Sequence, residues 1–136
     1  MTILVSDPIT ESGLAVLTDA NFDVIQLPNA TPEEKVKACK DVHGWVIRSG
    51  TKVTEEMIDT AQNLRVIGRA GVGVDNIDIP AATRKGVVVM NTPDVNTISA
   101  AEHTVAIMLT LSRNIAVGDL GMKQGEWNRH ALVGSE

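Results

Sequence analysis

Short apolar runs alternate with segments of helical spacing along the first ninety or so residues. Ile3-Leu4-Val5 reads as a strand, and the stretch after it sets Leu14 and Leu17 three apart, the spacing of one helix face. Phe22 to Ile25 is a second short strand. It leads to Thr31-Pro32-Glu33-Glu34, where threonine caps a helix, proline takes its first turn, and two acids face the positive end. Lys35, Lys37 and Lys40 then favour the other end. Trp45-Val46-Ile47 reads as a buried strand, and Thr54-Glu55-Glu56 opens a helix whose inner face carries Met57, Ile58 and Ala61. Leu64 to Ile67 is the fourth strand. Asp78, with Pro80 in the first turn, opens a helix that Gly86 closes, and Val87 to Met90 is the fifth strand. Right-handed crossovers are the favoured link between parallel neighbours, so this rhythm predicts an α/β fold with helices on both faces of a parallel sheet.

The expected architecture is a five-stranded, parallel, doubly wound, flavodoxin-like sheet with one long C-terminal helix and a tail. Ser99-Ala100-Ala101-Glu102 has the form of a capping box and predicts a helix running to about Val117, roughly 30 Å long. Val105, Ile107, Met108, Leu109 and Leu111 point nearly all round it, so it expects neighbours on most sides. The tail after Gly118 offers little cover. The chain therefore reads as residues 1–95, a sheet domain, and residues 96–136, a crossover helix and tail leading toward something absent. Two ways of covering the helix are open, folding back on its own sheet or packing on a second copy, and the apolar stripe left by a one-sided docking favours a homodimer.

Twelve Lys plus Arg against seventeen Asp plus Glu give a net charge of −5 without a basic run, which argues against nucleic acid. The longest apolar stretches fall far short of the roughly twenty residues a membrane helix needs, and the start MTILVSDP has no basic segment ahead of its apolar residues. A single cysteine, Cys39, rules out an internal disulfide framework and fits a reducing, cytoplasmic compartment. It reads most simply as a small core residue. His43, His103 and His130 lie too far apart for a metal cluster, and none has a carboxylate at orienting spacing. No metal site and no catalytic residue is expected.

The chemistry concentrates at the ends of the third and fourth strands. Arg69 ends the fourth, just before Gly71-Val72-Gly73, and ligands of open α/β sheets bind at that edge. Without a Cβ at the glycines, the amides of Val72 and Gly73 can both face an anionic oxygen while Arg69 adds charge, a cradle for a carboxylate or phosphate. The competing reading is a tight turn needing positive φ, with Arg69 solvated or paired to Asp75. Arg48 ends the third strand and reaches the same edge, either to bracket one anion with Arg69 or to pair with Asp7. Asn96 can contact substrate, although a helix cap is the favoured reading. Gly71-Val72-Gly73 also opens like a dinucleotide fingerprint but fails at the third glycine, where Asn76 stands. Asp7 at a strand end raises a phosphoacceptor reading, which the lack of an aspartate at the third strand end weakens.

RSGTKVT from Arg48, GRAGVGVDNIDIPAATRKGVVVMNTP from Gly68, NTISAAEHTVAIMLTLSRNI from Asn96 and the closing GEWNRHALVGSE resemble the D-2-hydroxyacid dehydrogenase family over essentially the whole chain. Within it the likeness is closest to the branch that oxidises 3-phosphoglycerate with NAD, at the entry to serine synthesis. The resemblance implies a substrate-binding domain interrupted by an inserted NAD-binding domain, with the chain ending just before the latter. It implies that Arg48, Arg69, Gly71, Val72, Gly73 and Asn96 form the substrate side of the cleft. Val72 would also lie beside the nicotinamide, and Arg129 would reach the phosphate of substrate in a partner subunit. The family's catalytic arginine, acid and histidine have no counterpart here, so the chain is expected to bind 3-phosphoglycerate without turning it over and to hold NAD at most loosely. A glyoxylate or hydroxypyruvate reductase, and a non-catalytic flavodoxin-like module, are the alternatives.

Overall fold

The structure, a computed structural model, describes residues 1–135. They fall into two compact units, the first Met1–Val95 and the second beginning at Asn96.

The first unit runs β1 (Thr2–Val5), α1 (Glu11–Asp19), β2 (Asp23–Gln26), α2 (Pro32–Ala38), β3 (Gly44–Ile47), α3 (Glu55–Thr60), β4 (Val66–Arg69), α4 (Ile79–Lys85) and β5 (Val88–Asn91). All five strands are parallel, in the order β2-β1-β3-β4-β5. This is the doubly wound fold the sequence predicts. The order reverses between β1 and β3, and such a switch opens a crevice beyond the strands' carboxyl ends.

Local signals set the helix starts. Thr31 and Glu34 form a reciprocal capping box at α2 with Pro32 in the first turn. Thr54 accepts from the Met57 amide at α3, and Asp78 accepts from the Ala81 amide at α4. Gly86 closes α4 at φ 72°, a left-handed position that favours glycine.

Strand register then builds the core. Leu4, Trp45, Ile67 and Val89 are successive register partners across β1, β3, β4 and β5, so they share one face. Met57 and Ile58 of α3, Ala81 and Ala82 of α4, and Cys39 and Val42 beyond α2 cover that face. Burying a large apolar side chain is worth about 1.5–3 kcal/mol. The Trp45 indole N–H is not left unpaired, since it donates to Ser6 Oγ at 2.7 Å. Cys39 is a core residue, as expected; burial pushes its thiol up, and it donates to the Val36 carbonyl at 3.2 Å.

The second unit departs from expectation. Its helix α5 spans Thr97–Ser112 and is capped by Asn96, so Ser99 lies inside the helix and its capping box is not formed. Nor does the helix reach Val117. The chain breaks at Asn114, which adopts φ 53°, a conformation asparagine tolerates better than most residues. A further helix, α6 (Ile115–Lys123), follows, and Arg129–Leu132 forms a 3₁₀ turn where a plain polar tail was expected. Leu132 packs against Gly118, and the Ser135 amide donates to the Ser112 carbonyl at 2.8 Å. Gly134 passes so close to Ser112 that a Cβ there would collide with its carbonyl oxygen. No residue of α5 is buried. Among the described residues no single helix is long and apolar enough to cross a membrane; α5 and α6 reach that length only together and are bent by 68°.

Candidate functional site

Arg48 and Arg69 arrive at the carboxyl edge of the sheet from adjacent strands. Ile47 is the register partner of Arg69, so Arg48 lies one residue further out, beside Ala70. Arg48 lies just beyond the end of β3, so the two arginines start from opposite sides of the strand alternation and can approach one ligand only beyond the carboxyl edge of the sheet. Arg48 lines a concavity of about 580 Å³ with Pro8, Thr10, Val46 and Ala70. Its guanidinium donates to the Pro8 carbonyl at 3.3 Å. The alternative of an ion pair with Asp7 is not realised: it is the Arg48 backbone N–H, not the side chain, that Asp7 holds.

Arg69 turns over the glycine loop. A Cβ on Gly71 would stand 2.6 Å from Arg69 Nη1, and one on Gly73 would stand 3.7 Å from the same atom and 2.8 Å from Asp75 Oδ1. Neither glycine has positive φ. They are needed for close approach rather than for a left-handed conformation, which removes the positive-φ part of the tight-turn reading; the turn itself is tight, the Gly71 amide donating to the Arg69 carbonyl at 2.9 Å. Arg69 Nε is buried with no hydrogen-bond partner. Among the described residues the ion pairs are Arg84–Glu55 and Lys123–Asp119, so neither arginine at this edge is neutralised, and Asp75 is near Arg69 without pairing to it.

The loop's own hydrogen bonds show which groups remain free. Asn91 Nδ2 donates to the Val72 carbonyl at 2.7 Å, the Thr92 amide donates to the Gly71 carbonyl at 3.1 Å, and the Ala70 amide donates to the Ile47 carbonyl at 2.8 Å. The carbonyls are thus taken up by the fold. Among the described residues no acceptor takes the Val72 or Gly73 amide. Two free amides beside an uncompensated guanidinium form a site for an oxyanion.

A buried carboxylate supports this edge. Asp7, 4% exposed, accepts through Oδ2 from the amides of Arg48 at 2.6 Å and Thr51 at 3.0 Å. Thr51, also buried, shares a hydrogen bond with Ser6 Oγ at 2.9 Å and receives one from Lys35 Nζ at 3.0 Å. Asn76 Nδ2 donates to the carbonyls of Arg48 and Thr51 at 2.7 and 2.6 Å. Sequence reasoning missed both roles, treating Asp7 as an ion-pair partner and Asn76 as a failed glycine. The visible signal was a carboxylate at a strand end directly before Pro8.

Asn96 caps α5 only by position, since its side chain makes no cap hydrogen bond. Arg129 begins the 3₁₀ turn of the second unit. His43 Nδ1 accepts from the Thr2 amide at the amino edge of the sheet, opposite the candidate site. His103 lies in α5 and His130 in the 3₁₀ turn. Among the described residues no cluster of His, Cys, Asp or Glu could hold a metal ion.

Residues 3–130 match the family described as D-isomer specific 2-hydroxyacid dehydrogenase, catalytic domain. The chain is 47% identical over 134 residues to D-3-phosphoglycerate dehydrogenase of Methanocaldococcus jannaschii, covering 98% of this chain and 25% of that protein. It therefore spans about a quarter of the length of the curated relatives it matches. Among solved structures it is similar to NAD-dependent formate dehydrogenase from Staphylococcus aureus in complex with NAD, with a TM-score of 0.86 and 28% identity over 100% of this chain and 46% of the other. It is also similar to the NAD+-bound 3-phosphoglycerate dehydrogenase of Entamoeba histolytica, with a TM-score of 0.71 and 33% identity over 83% and 39% of the respective chains.

Replacing Asp7 with Ala leaves one buried and one part-buried amide without their acceptor and should lower stability by about 2–4 kcal/mol, read by chemical denaturation. A loss within about 0.5 kcal/mol, the level of an ordinary surface change, would show that the carboxylate does not hold the edge.

Proposed function

The chain belongs to the D-isomer specific 2-hydroxyacid dehydrogenase family, and from that premise we propose that it supplies the substrate-anion side of an enzyme oxidising 3-phosphoglycerate with NAD. One observation carries this reading: among the described residues Arg69 has no ion-pair partner, and it lies over a turn whose Val72 and Gly73 amides find no acceptor. A carboxylate fits those donors, because two amides and a guanidinium can satisfy both of its oxygens. Arg48 then steadies the rest of the substrate from the neighbouring strand. The family resemblance adds Asn96 and Arg129 as proposed substrate contacts, Arg129 toward the phosphate of substrate held by a second copy.

When bound, NAD supplies the hydride acceptor, and in this reading the exposed Val72 side chain lies beside the nicotinamide. The described residues do not build a cradle for the rest of the dinucleotide. No helix starts at the Gly71–Gly73 turn, α4 beginning only at Ile79, and Asn76 fills the third glycine's place with a side chain already bonded to the neighbouring loop. His43 is held at the far edge of the sheet, so this reading does not use it for the proton transfer that oxidation of a hydroxyl requires. A cytoplasmic setting belongs to the same proposal and rests on the reduced, buried Cys39.

Calorimetry with 3-phosphoglycerate tests the site on the 136-residue chain. The native chain should bind, and Arg69→Ala should weaken binding by about 1.5–3 kcal/mol, the loss of a charge-assisted hydrogen bond. The same material, given NAD and 3-phosphoglycerate, should form no NADH. Equal affinity in the variant, or turnover above a heat-killed control, would contradict the assignment.

We further propose that α5 associates with a second copy, since Ile98, Val105, Met108, Leu109 and Leu111 are all more than half exposed. Sedimentation equilibrium over about a hundredfold concentration range should show a dimer at the upper end. A monomer mass throughout would dismiss it.

A further inference from the structure

Asn76 belongs to the loop after β4, yet both of its side-chain hydrogen bonds go to the loop after β3. Its amide nitrogen donates to the carbonyls of Arg48 and Thr51, while Asp7 takes the backbone N–H groups of those same two residues from the other side. The 48–51 loop is thus gripped by an amide donor and a carboxylate acceptor that come from different strand ends. The backbone continues the tie: the Val53 amide donates to the Asn76 carbonyl at 2.8 Å, the Asp78 amide donates to the Val53 carbonyl at 3.0 Å, and Val53 and Ile77 form a parallel bridge.

Among the described residues, the Asn76 bonds are the side-chain hydrogen bonds that join the loop bearing Arg48 to the loop following Arg69. Only a neutral amide suits the place. A carboxylate would oppose two carbonyl oxygens, and an aliphatic side chain would leave both carbonyls unpaired on that side. The Asn76 Oδ1 atom is itself buried without a partner, so the residue is not an optimised stabilising network of its own.

We propose that Asn76 is a positioning residue that fixes the Arg48 loop against the Arg69 turn and so sets the spacing of the two cations around one anion. The proposal rests on the anion-site reading above for its ligand but not for its geometry. A residue that acts through Arg48 has a signature that general destabilisation lacks, because its effect should vanish once Arg48 is removed.

The test is a double-mutant cycle on the 136-residue chain with Asn76→Ala, Arg48→Ala and the pair, read by calorimetry with 3-phosphoglycerate. Asn76→Ala should weaken binding about tenfold in the native background and less than about twofold in the Arg48→Ala background. Equal binding by Asn76→Ala and the native chain, or losses that simply multiply, would overturn the proposal. Amide hydrogen exchange gives a reading without ligand. In Asn76→Ala the Thr51 amide should exchange at least about tenfold faster while the amides of Trp45 and Ile47 keep their protection. Unchanged Thr51 protection, or a uniform loss across all three, would also overturn it. If the native chain binds no 3-phosphoglycerate, the anion reading fails and the exchange measurement alone decides the role of Asn76. Should Asn76→Ala fail to fold, Asn76→Ser, whose single hydroxyl hydrogen can serve at most one of the two carbonyls, takes its place; it should weaken binding in the native background and less in the Arg48→Ala background, and no loss, or losses that simply multiply, would overturn the proposal.

Discussion

The carboxyl edge of this sheet is organised around a buried negative charge. Asp7 is nearly inaccessible and spends one oxygen on two backbone amides of the neighbouring crossover. A buried carboxylate without such partners costs several kcal/mol, so the 48–51 loop must present those amides for the fold to tolerate it. That requirement places Thr51 beneath the edge, where it joins Ser6 and Lys35, and it holds the backbone of Arg48 at the switch point between β1 and β3. The carboxylate meets main-chain donors, and among the described residues the Arg48 side chain has no ion pair.

The same economy governs the next loop. Gly71 and Gly73 let the Arg69 guanidinium come close over the turn, and the fold takes up the carbonyls of Gly71 and Val72 through Thr92 and Asn91. What remains are donors without acceptors: the amides of Val72 and Gly73, and a guanidinium whose Nε is buried and unpaired. A protein selected for stability alone would set a carboxylate against such a cluster. Asp75 borders the same glycine as Arg69 and does not pair with it. The imbalance is the physical basis for an external anion.

Where local chemistry decides the structure, the sequence was readable. Thr31, Thr54 and Asp78 each start a helix as their side chains predict, Gly86 ends one, and Trp45 and Ile47 lie in the core. The fold class follows from that alternation, and the anion-binding edge follows from two arginines at strand ends. Contacts made at long range were not readable. Pairing of β4 starts at Val66 rather than Leu64 because β3 supplies partners only from Gly44. The reason for the two glycines is a side chain lying over them, which no turn rule contains. Asn76 looked like a defect in a glycine motif because its partners stand 25 and 28 positions away. In the second unit, the Ser99 capping box competed with Asn96, and the break at Asn114 lies within a stretch whose apolar spacing continues through it.

The central claim is that the unpaired donors of the Val72–Gly73 turn and Arg69 receive an anion. Two-dimensional amide NMR of the chain titrated with 3-phosphoglycerate addresses it residue by residue. The account predicts saturable shifts at the Val72 and Gly73 amides and at the Arg69 side-chain Nε–H, with the amino-edge residues Thr2 and His43 unmoved. Saturable shifts centred elsewhere, such as on the lysines of α2, or none at all at this turn, would contradict it.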